Sequence, residues 1–238
     1  MHDLKRILLT NDDGVDAKGI KILHDILSGK FAVLIVAPLR CCNAMSHAIT
    51  LRRKINVKRI SGNIIGVDGT PTDAVTFGVH EFGKPDLLIS GINDGPNLGE
   101  DVTYSGTVGA ALEGAILGIP SIAVSFVSDT EVDPVTLSKF IIDLAEKVLK
   151  NGLPNGIFLN VNIPPFPKGV KITRLGHRLY RDVLRKHSST SFEITGEPVT
   201  LVESGTDIEA IEANYISITP LRIDLTAEEF IPKLREML

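Results

Sequence analysis

The sequence predicts an α/β protein built around a mostly parallel, doubly wound β-sheet. Short apolar runs recur at residues 7–9, 32–36 and 87–89, and such unbroken runs are typical of parallel strands covered on both faces. Segments with helical spacing of apolar residues separate these runs. A strand, a helix and a second strand within about thirty residues form a βαβ unit, whose crossover is right-handed. The 238 residues are enough to bury a substantial core.

The elements of the first half follow this alternation. Apolar residues at helical spacing predict a helix that stops at Gly29, and the second strand follows at 32–36. Residues 49–67 alternate in polarity, which predicts extended, antiparallel structure on the flank of the sheet. Thr70 ahead of Pro71 is a typical N-cap and N1 pair, so the second crossover helix is expected to begin there.

The second half adds further strands and helices and then changes character. After the strand at 87–89 we expect, in order, a small-residue helix from about Thr107, a strand at 122–125, a helix at 134–150 and a strand at 157–163. From Val170 onward the segments are basic and alternating, which predicts an antiparallel extension. We therefore divide the chain into a catalytic core at 1–168 and a C-terminal hairpin and arm at 169–238 that is integrated with the core. Because this arm is too thinly apolar to fold alone, its strands are expected to pair across a subunit interface.

Composition and charge restrict the partners. Hydrophobic residues make up 43% of the chain and charged residues 23%, the balance of a globular protein. A formal net charge of -4 gives no electrostatic reason to expect a nucleic acid or a membrane as a partner. No apolar stretch reaches the length of a membrane span and no signal-peptide core precedes the first strand, so a cytoplasmic location is expected. Cys41 and Cys42 are adjacent, a spacing that rarely forms a disulfide, and are interpreted as reduced thiols.

Polar side chains follow three of the predicted strands and are expected to meet at one edge of the sheet. The three groups are Asn11, Asp12 and Asp13; Asn43 and Ser46; and Asn93, Asp94, Asn97, Ser105, Gly106 and Thr107. Two carboxylates with nearby amide and hydroxyl oxygens suit a hard cation such as Mg²⁺, Mn²⁺ or Ca²⁺. An alternative interpretation of the first group is an Asx turn in which Asp12 or Asp13 caps the next helix.

The run Ser105, Gly106 and Thr107 stands at the start of the small-residue helix. Hydroxyl groups and free backbone N–H groups at a helix N-terminus form an anion site, although simple helix capping explains such a run equally well. Beside a metal site, the natural ligand is a phosphate ester bridged between the cation and the helix.

Two known arrangements with an acidic pair after the first strand differ from this sequence. A haloacid-dehalogenase-like phosphatase needs a nucleophilic Asp where this chain has Asn11, and an amide cannot form a phosphoaspartate. A response-regulator receiver needs a phosphorylatable Asp where this chain has Asn93 and is about half as long. The receiver is kept as the alternative that is not an enzyme.

Five segments together resemble the SurE family of survival-protein nucleotidases: TNDDG, SGINDGPNLG, DVTYSGTVGAALEG, LNVNIP and ITPL. The resemblance extends from Arg6 to about Leu221. It implies a Rossmann-like three-layer α/β/α sandwich with a C-terminal hairpin and arm, often exchanged between the subunits of a homodimer or homotetramer. It also implies a phosphatase that depends on one divalent metal ion, Mg²⁺ or Mn²⁺, and hydrolyses nucleoside monophosphates. 3′-Nucleotidase and exopolyphosphatase activities are left open.

The resemblance assigns roles to particular residues. Asp12 and Asp13 correspond to the metal-binding and catalytic pair, and Asn93 to a metal-binding Asn. Asn43 stands where the family usually has a Ser ligand. Leu39 stands where the family commonly has an acidic residue, a difference that bears on substrate preference more than on the reaction. The residues expected to hold the phosphate are Asn97, Ser105, Gly106 and Thr107. His47 is either a proton donor to the leaving group or a structural residue.

Overall fold

The computed structural model describes residues 4–127, 132–181 and 183–238. The strands are β1 (Arg6–Thr10), β2 (Ala32–Pro38), β3 (Val57–Ser61), β4 (Ile64–Val67), β5 (Leu87–Asp94), β6 (Ser121–Phe126), β7 (Ile157–Ile163), β8 (Val170–Ile172), β9 (His177–Arg181), β10 (Leu184–Lys186), β11 (Phe192–Ile194), β12 (Glu197–Leu201) and β13 (Ile216–Arg222). The helices are α1 (Lys18–Leu27), α2 (Pro71–Phe82), α3 (Gly106–Ile116), α4 (Pro134–Asn151), α5 (Asp207–Glu212) and α6 (Ile231–Met237), with 3₁₀ turns at Gly99–Thr103 and Glu228–Phe230.

A nine-stranded sheet in the order β3-β4-β2-β1-β5-β6-β7-β13-β8 forms the centre of the molecule. Strands β4, β2, β1, β5, β6 and β7 are parallel to their neighbours in this series. From β1 the chain first builds outward through β2 and β4 and then returns to place β5 on the other side. The winding therefore reverses where β1 and β5 lie side by side. A ligand is expected just outside the carboxyl ends of these two strands.

Helices cover both faces of the sheet. Helices α1 and α4 share one apolar core with the inner strands, in which Leu23 and Ile141 are buried. Helices α2 and α3 cover the opposite face, where Val75 and Ala110 are buried. This arrangement confirms the predicted three-layer α/β fold.

The helix boundaries are close to those predicted. Thr70 is the N-cap of α2 and Pro71 its first residue, and the Thr70 hydroxyl oxygen accepts a hydrogen bond from the backbone N–H of Asp73. The Asp73 carboxylate in turn accepts from the backbone N–H of Thr70 at 2.9 Å, which completes a capping box. Helix α3 begins at Gly106, one residue before the expected start. Among the described residues, no helix is both long and apolar enough to cross a membrane.

Residues 49–67 were expected to be antiparallel, and β3 and β4 do pair in that way. Strand β4 also pairs in parallel with β2, so it belongs to the main sheet as well as to the hairpin.

The C-terminal part differs more from the expectation. Strands β9 and β12, and β10 and β11, form antiparallel pairs as predicted. Strand β13 also pairs in antiparallel fashion, but with β7 of the main sheet, and β8 pairs with β13 in parallel, so the antiparallel expectation was wrong for β8. Helices α5 and α6 were not predicted because six or seven residues are too few to establish a helical period.

Candidate active site

The turn after β1 is closed by the side chain of Asn11. The Asn11 side-chain amide donates to the carbonyl oxygen of Gly14 at 2.8 Å, and its carbonyl oxygen accepts from the Gly14 N–H at 3.2 Å. Helix α1 has Ala17 as its N-cap, with no side-chain capping bond. The interpretation of Asp12 or Asp13 as caps of the next helix was therefore wrong, although the sequence was correctly expected to turn here.

Asp12 is buried against the N-terminus of α3. Its carboxylate accepts hydrogen bonds from the backbone N–H of Thr107 at 3.0 Å and from the Thr107 hydroxyl at 2.5 Å. A Cβ atom at Gly106 would lie 2.9 Å from the Cβ of Asp12, so only glycine permits this approach. The end of β5 lies at the same place, because the Thr107 hydroxyl is also 3.3 Å from the side-chain oxygen of Asn93. The structure thus brings together Asp12, Asn93 and Thr107, as the sequence predicted.

Asp13, the second carboxylate after β1, is half-buried. Its carboxylate accepts a hydrogen bond from the backbone N–H of Asp94 at 3.3 Å. Burial raises the pKa of Asp13 above its ordinary value, and the negative charges of Asp12 and Asp94 raise it further. Burial also raises the pKa of Asp12, against the opposing effect of the hydrogen bonds from Thr107. Two partly desolvated carboxylates that repel each other favour a bound cation.

The loop after β2 reaches the same edge of the sheet. The backbone N–H of Cys42 donates to the carbonyl oxygen of Asp12 at 2.6 Å, directly before Asn43. Beyond Asn43, the Ser46 hydroxyl donates to the carbonyl oxygen of Thr103 at 2.7 Å. The backbone on both sides of Asn43 is therefore tied to the site, while the Asn43 side chain itself is exposed.

Asn97 is fixed by the neighbouring strands β6 and β7. Its side-chain amide donates to the Ser125 hydroxyl at 2.8 Å. Its backbone N–H donates to the side-chain oxygen of Asn162 at 2.8 Å, and its carbonyl oxygen accepts from the amides of Asn160 and Asn162. These two asparagines were not among the predicted site residues, although amides that alternate along a buried strand such as FLNVNI could have indicated them.

The helix N-terminus combines capping with a site for negative charge. Ser105 is the N-cap of α3, and its hydroxyl oxygen accepts from the N–H of Val108 at 3.1 Å, so the capping interpretation is correct. The N–H of Thr107 nevertheless points at a carboxylate, and the helix dipole stabilises negative charge at this position. Capping and anion stabilisation therefore coexist here.

The His47 side chain is bonded to a carboxylate of α3. Its Nε2 lies 2.7 Å from Oε2 of Glu113, and the Thr76 hydroxyl donates to the other oxygen of the same carboxylate at 3.2 Å. Glu113 is buried on α3, so this contact ties the loop of Asn43 to the helix. The geometry favours the structural interpretation of His47.

The donor set suits a hard cation. Within residues 4–127, 132–181 and 183–238, there is no cluster of three or more His, Cys, Asp and Glu side chains able to hold a metal ion. The available ligands are two carboxylates with amide oxygens, which bind Mg²⁺, Mn²⁺ or Ca²⁺ better than soft metals. Cys41 and Cys42 are free thiols, as expected, and burial raises the pKa of Cys42.

Asp12 and Asp13 lie at the reversal point of a doubly wound sheet, and Asp12 is bonded to the N-terminus of a helix. These features place the chain among the α/β proteins that bind ligands just outside the carboxyl ends of their strands. The chain belongs to the SurE family, because the family described as Survival protein SurE matches residues 7–182. The resemblance inferred from the sequence motifs is thereby confirmed, and the phosphoaspartate alternatives lose their support.

Similar proteins agree with this membership over almost the whole chain. A 5′-nucleotidase SurE of Thermoanaerobacter sp. (strain X514) is 43% identical over 241 residues, which cover 95% of each protein. A 5′-nucleotidase SurE 1 of Thermus thermophilus is 44% identical over 245 residues and 98% of each protein. The crystal structure of a SurE protein from Aquifex aeolicus is 39% identical and has a TM-score of 0.85, over 98% of this chain and 99% of that chain.

Proposed function

We propose that this chain is a 5′-nucleotidase that hydrolyses the phosphate ester of nucleoside monophosphates with the help of one divalent metal ion. Phosphomonoester hydrolysis follows from membership of the family, whose relatives at 43% and 44% identity are named 5′-nucleotidases. The single structural observation that supports the proposal is the buried Asp12 carboxylate, which lies against the N-terminus of α3 between the ends of β1 and β5.

Asp12, Asp13, Asn43 and Asn93 would hold the metal ion, with Mg²⁺ or Mn²⁺ as the expected species. Bound there, the ion would polarise a phosphoryl oxygen and lower the pKa of a coordinated water molecule. One of the two Asp side chains would orient that water for attack on phosphorus. Hydrolysis would proceed without a covalent intermediate, since the first position of the motif is Asn11, an amide engaged with Gly14.

Asn97, Ser105, Gly106 and Thr107 would hold the phosphate oxygens as negative charge develops on them. The Ser105 oxygen already accepts a hydrogen bond from Val108, so its own O–H remains able to donate to a phosphate oxygen. Asn97 is held at its backbone by two buried asparagines of β7, which fixes its position before substrate binds. Preorganised donors of this kind stabilise developing charge without further reorganisation.

The oligomeric state belongs to the same proposal. Several apolar side chains of the C-terminal part are exposed, including Leu184, Ile194 and Leu225. We expect these side chains to be buried against a second copy of the chain, in a homodimer or homotetramer. A cytoplasmic location also stays a prediction.

A phosphate-release assay tests the proposed activity. The full chain is incubated with a panel of 5′- and 3′-nucleoside monophosphates and polyphosphate, with Mg²⁺, with Mn²⁺ or with a chelator. We expect release from 5′-monophosphates only in the presence of metal. Asp12→Asn should abolish it, whereas Asp16→Asn, at an exposed carboxylate before α1, should not. Equal activity in the chelated enzyme, or in folded Asp12→Asn, would contradict the proposal.

A further inference from the structure

The 3₁₀ turn at Gly99–Thr103 is held by β9 of the C-terminal part. The Glu100 carboxylate accepts from the backbone N–H of Arg178 at 2.6 Å and lies 2.8 Å from the ring nitrogen Nδ1 of His177. The next carboxylate, Asp101, accepts from the Tyr180 hydroxyl at 2.8 Å and pairs with the Arg178 guanidinium at 3.0 Å. Three residues of β9 thus make polar contacts with the turn, through both side-chain and backbone groups.

The backbones of the two segments also come close together. Gly99 has a φ of 52°. A Cβ atom there would lie 2.8 Å from the carbonyl oxygen of Gly176, just before β9. The Asp207 carboxylate accepts from the N–H of Gly99 at 2.9 Å and from the N–H of Gly176 at 2.7 Å, so one buried side chain joins both segments. The position of the turn therefore depends on the C-terminal part.

The turn leads directly into the residues proposed to hold phosphate. The carbonyl oxygen of Asp101 accepts from the N–H of Tyr104 at 3.0 Å and from the N–H of Ser105 at 3.1 Å. The carbonyl oxygen of Tyr104 accepts from the N–H of Ser46 at 2.9 Å, in the loop that carries Asn43. A shift of Asp101 would therefore move the N-cap of α3 and the loop of Asn43 together.

The Asp101–Arg178 pair is poorly suited to be a source of stability alone. The two side chains are only 10% and 16% exposed, and desolvation offsets much of the attraction within a buried ion pair. In the described part of the chain, the buried Nε of Arg178 also has no hydrogen-bond partner. Loss of either partner would leave the other charge buried and uncompensated, so the contact fixes the position of Asp101 relative to β9.

We propose that Arg178 is a positioning residue, which acts through Asp101 to fix the N-terminus of α3 at the distance needed to bind the phosphate of the substrate. The β9–β12 hairpin then controls the geometry of a site to which it contributes no metal ligand. This inference rests on the proposed function, since it concerns the same phosphate site.

The test compares Arg178→Met, which keeps an apolar stem but removes the guanidinium group, with Arg178→Lys, which keeps the charge. The matched control is Arg185→Met, which breaks an exposed ion pair of 3.7 Å with Glu193 in the β10–β11 hairpin. We measure kcat, KM, the inhibition constant of inorganic phosphate and the melting temperature, all with saturating metal. Because small misplacements of binding groups cost up to about 100-fold in rate, Arg178→Met is expected to lower kcat/KM by roughly 10- to 100-fold.

Arg178→Met is also expected to weaken inhibition by phosphate, and Arg178→Lys to recover part of both losses. Arg185→Met should change neither. Asp101→Asn in the Arg178→Met background should cause little further loss of kcat/KM, since both substitutions remove the same ion pair. Unchanged kinetic constants with a lowered melting temperature in Arg178→Met would overturn the proposal and leave a structural role.

Two further measurements keep the outcome clear. If Arg178→Met does not fold, Tyr180→Phe removes one hydrogen bond from Asp101 and should give a smaller change in the same direction, and wild-type constants there would overturn the inference. Calorimetric titration of inorganic phosphate into the metal-loaded protein needs no turnover. Weaker phosphate binding by Arg178→Met supports the positioning role even if the wild type hydrolyses no nucleotide, which would contradict only the proposed function.

Discussion

Thr107 donates two hydrogen bonds to the Asp12 carboxylate, one from its backbone N–H at 3.0 Å and one from its hydroxyl at 2.5 Å. This contact joins the end of the first strand to the beginning of a helix that lies 95 residues later in the chain. The Thr107 hydroxyl also lies 3.3 Å from Asn93 at the end of β5. One threonine thus joins the end of β1, the end of β5 and the N-terminus of α3.

Thr107→Val should therefore destabilise the protein and impair its activity. Valine has nearly the same shape but leaves one oxygen of a buried carboxylate without its partner, which costs about 1–3 kcal/mol. Urea unfolding measures this cost. The matched control is Thr136→Val, since the Thr136 hydroxyl donates to the exposed Asp133 carboxylate at 2.7 Å at the start of α4. Equal losses of stability in the two variants would show that burial of Asp12 has no special effect.

The repulsion within the acidic group predicts how metal affects stability. Asp13 is half-buried beside the charges of Asp12 and Asp94, and burial is the largest cause of its raised pKa. In metal-free protein, Asp13→Asn should raise the melting temperature above that of the wild type because one repelling charge is removed. Added Mg²⁺ or Mn²⁺ should stabilise the wild type by mass action and have little effect on the variant.

Differential scanning fluorimetry over a series of metal concentrations gives the melting temperature without metal and its increase on addition of metal. Asp16→Asn serves as the control, because Asp16 is exposed and should leave the response to metal unchanged. A variant Asp13→Asn that gained as much stability from metal as the wild type would show that Asp13 is not a ligand.

The central sheet and the polar groups between β1 and β5 could be predicted because they depend on local sequence. Strands β1 and β5 are continuous apolar runs that end in polar residues, and the carboxyl ends of parallel strands meet at one edge. The contacts that hold these groups could not be predicted in the same way. Asp101 and Tyr180 are 79 residues apart, and Asn97 and Asn162 are 65 apart, so no local pattern relates them. Strand β13 was likewise assigned to the extension because its own sequence does not identify β7 as its neighbour.

The contact between Glu100 and His177 predicts a dependence of stability on pH. The hydrogen bond from Glu100 and its charge raise the pKa of His177 above the ordinary value of 6.5, and Glu203 adds to this while Arg174 opposes it. The N–H of Arg178 and then His177 lower the pKa of Glu100 below its ordinary value of 4.5. The His177 contribution is complete below pH 6.5 and is lost as pH rises through its raised pKa, whereas the Glu100 contribution is lost as pH falls through its lowered pKa.

The stability difference between the wild type and His177→Gln should accordingly be greatest between pH 4.5 and 6.5 and shrink above that range. Melting temperatures measured at several pH values give this difference directly. His80→Gln, on the exposed side of α2, controls for the general effect of losing a histidine. A difference that stayed constant up to a pH well above the raised pKa would show that the charge of His177 does not contribute.

The β10–β11 hairpin provides the most direct test of oligomerisation. Truncation after Lys168 would also remove β13, which pairs with β7 in the main sheet, and would confuse assembly with folding. Replacement of residues 184–194 by a short glycine-serine turn avoids this problem, because the N–H of Thr195 donates to the carbonyl oxygen of Val183 at 3.0 Å and closes the base of the hairpin. The β9–β12 pair, which holds Asp101, stays in place.

We expect light scattering to show that the shortened chain forms a smaller assembly, with fewer subunits than the full chain. Its phosphatase activity should be kept. Ile194→Lys should act in the same direction, since Ile194 is 87% exposed within one chain and its charge would be buried in the interface. Glu193→Lys, at a polar position of the same strand, is the control and should leave the mass nearly unchanged. A full-length protein that is monomeric at micromolar concentration would contradict the arrangement, because the exposed apolar side chains of β10 and β11 would then have no partner subunit to cover them.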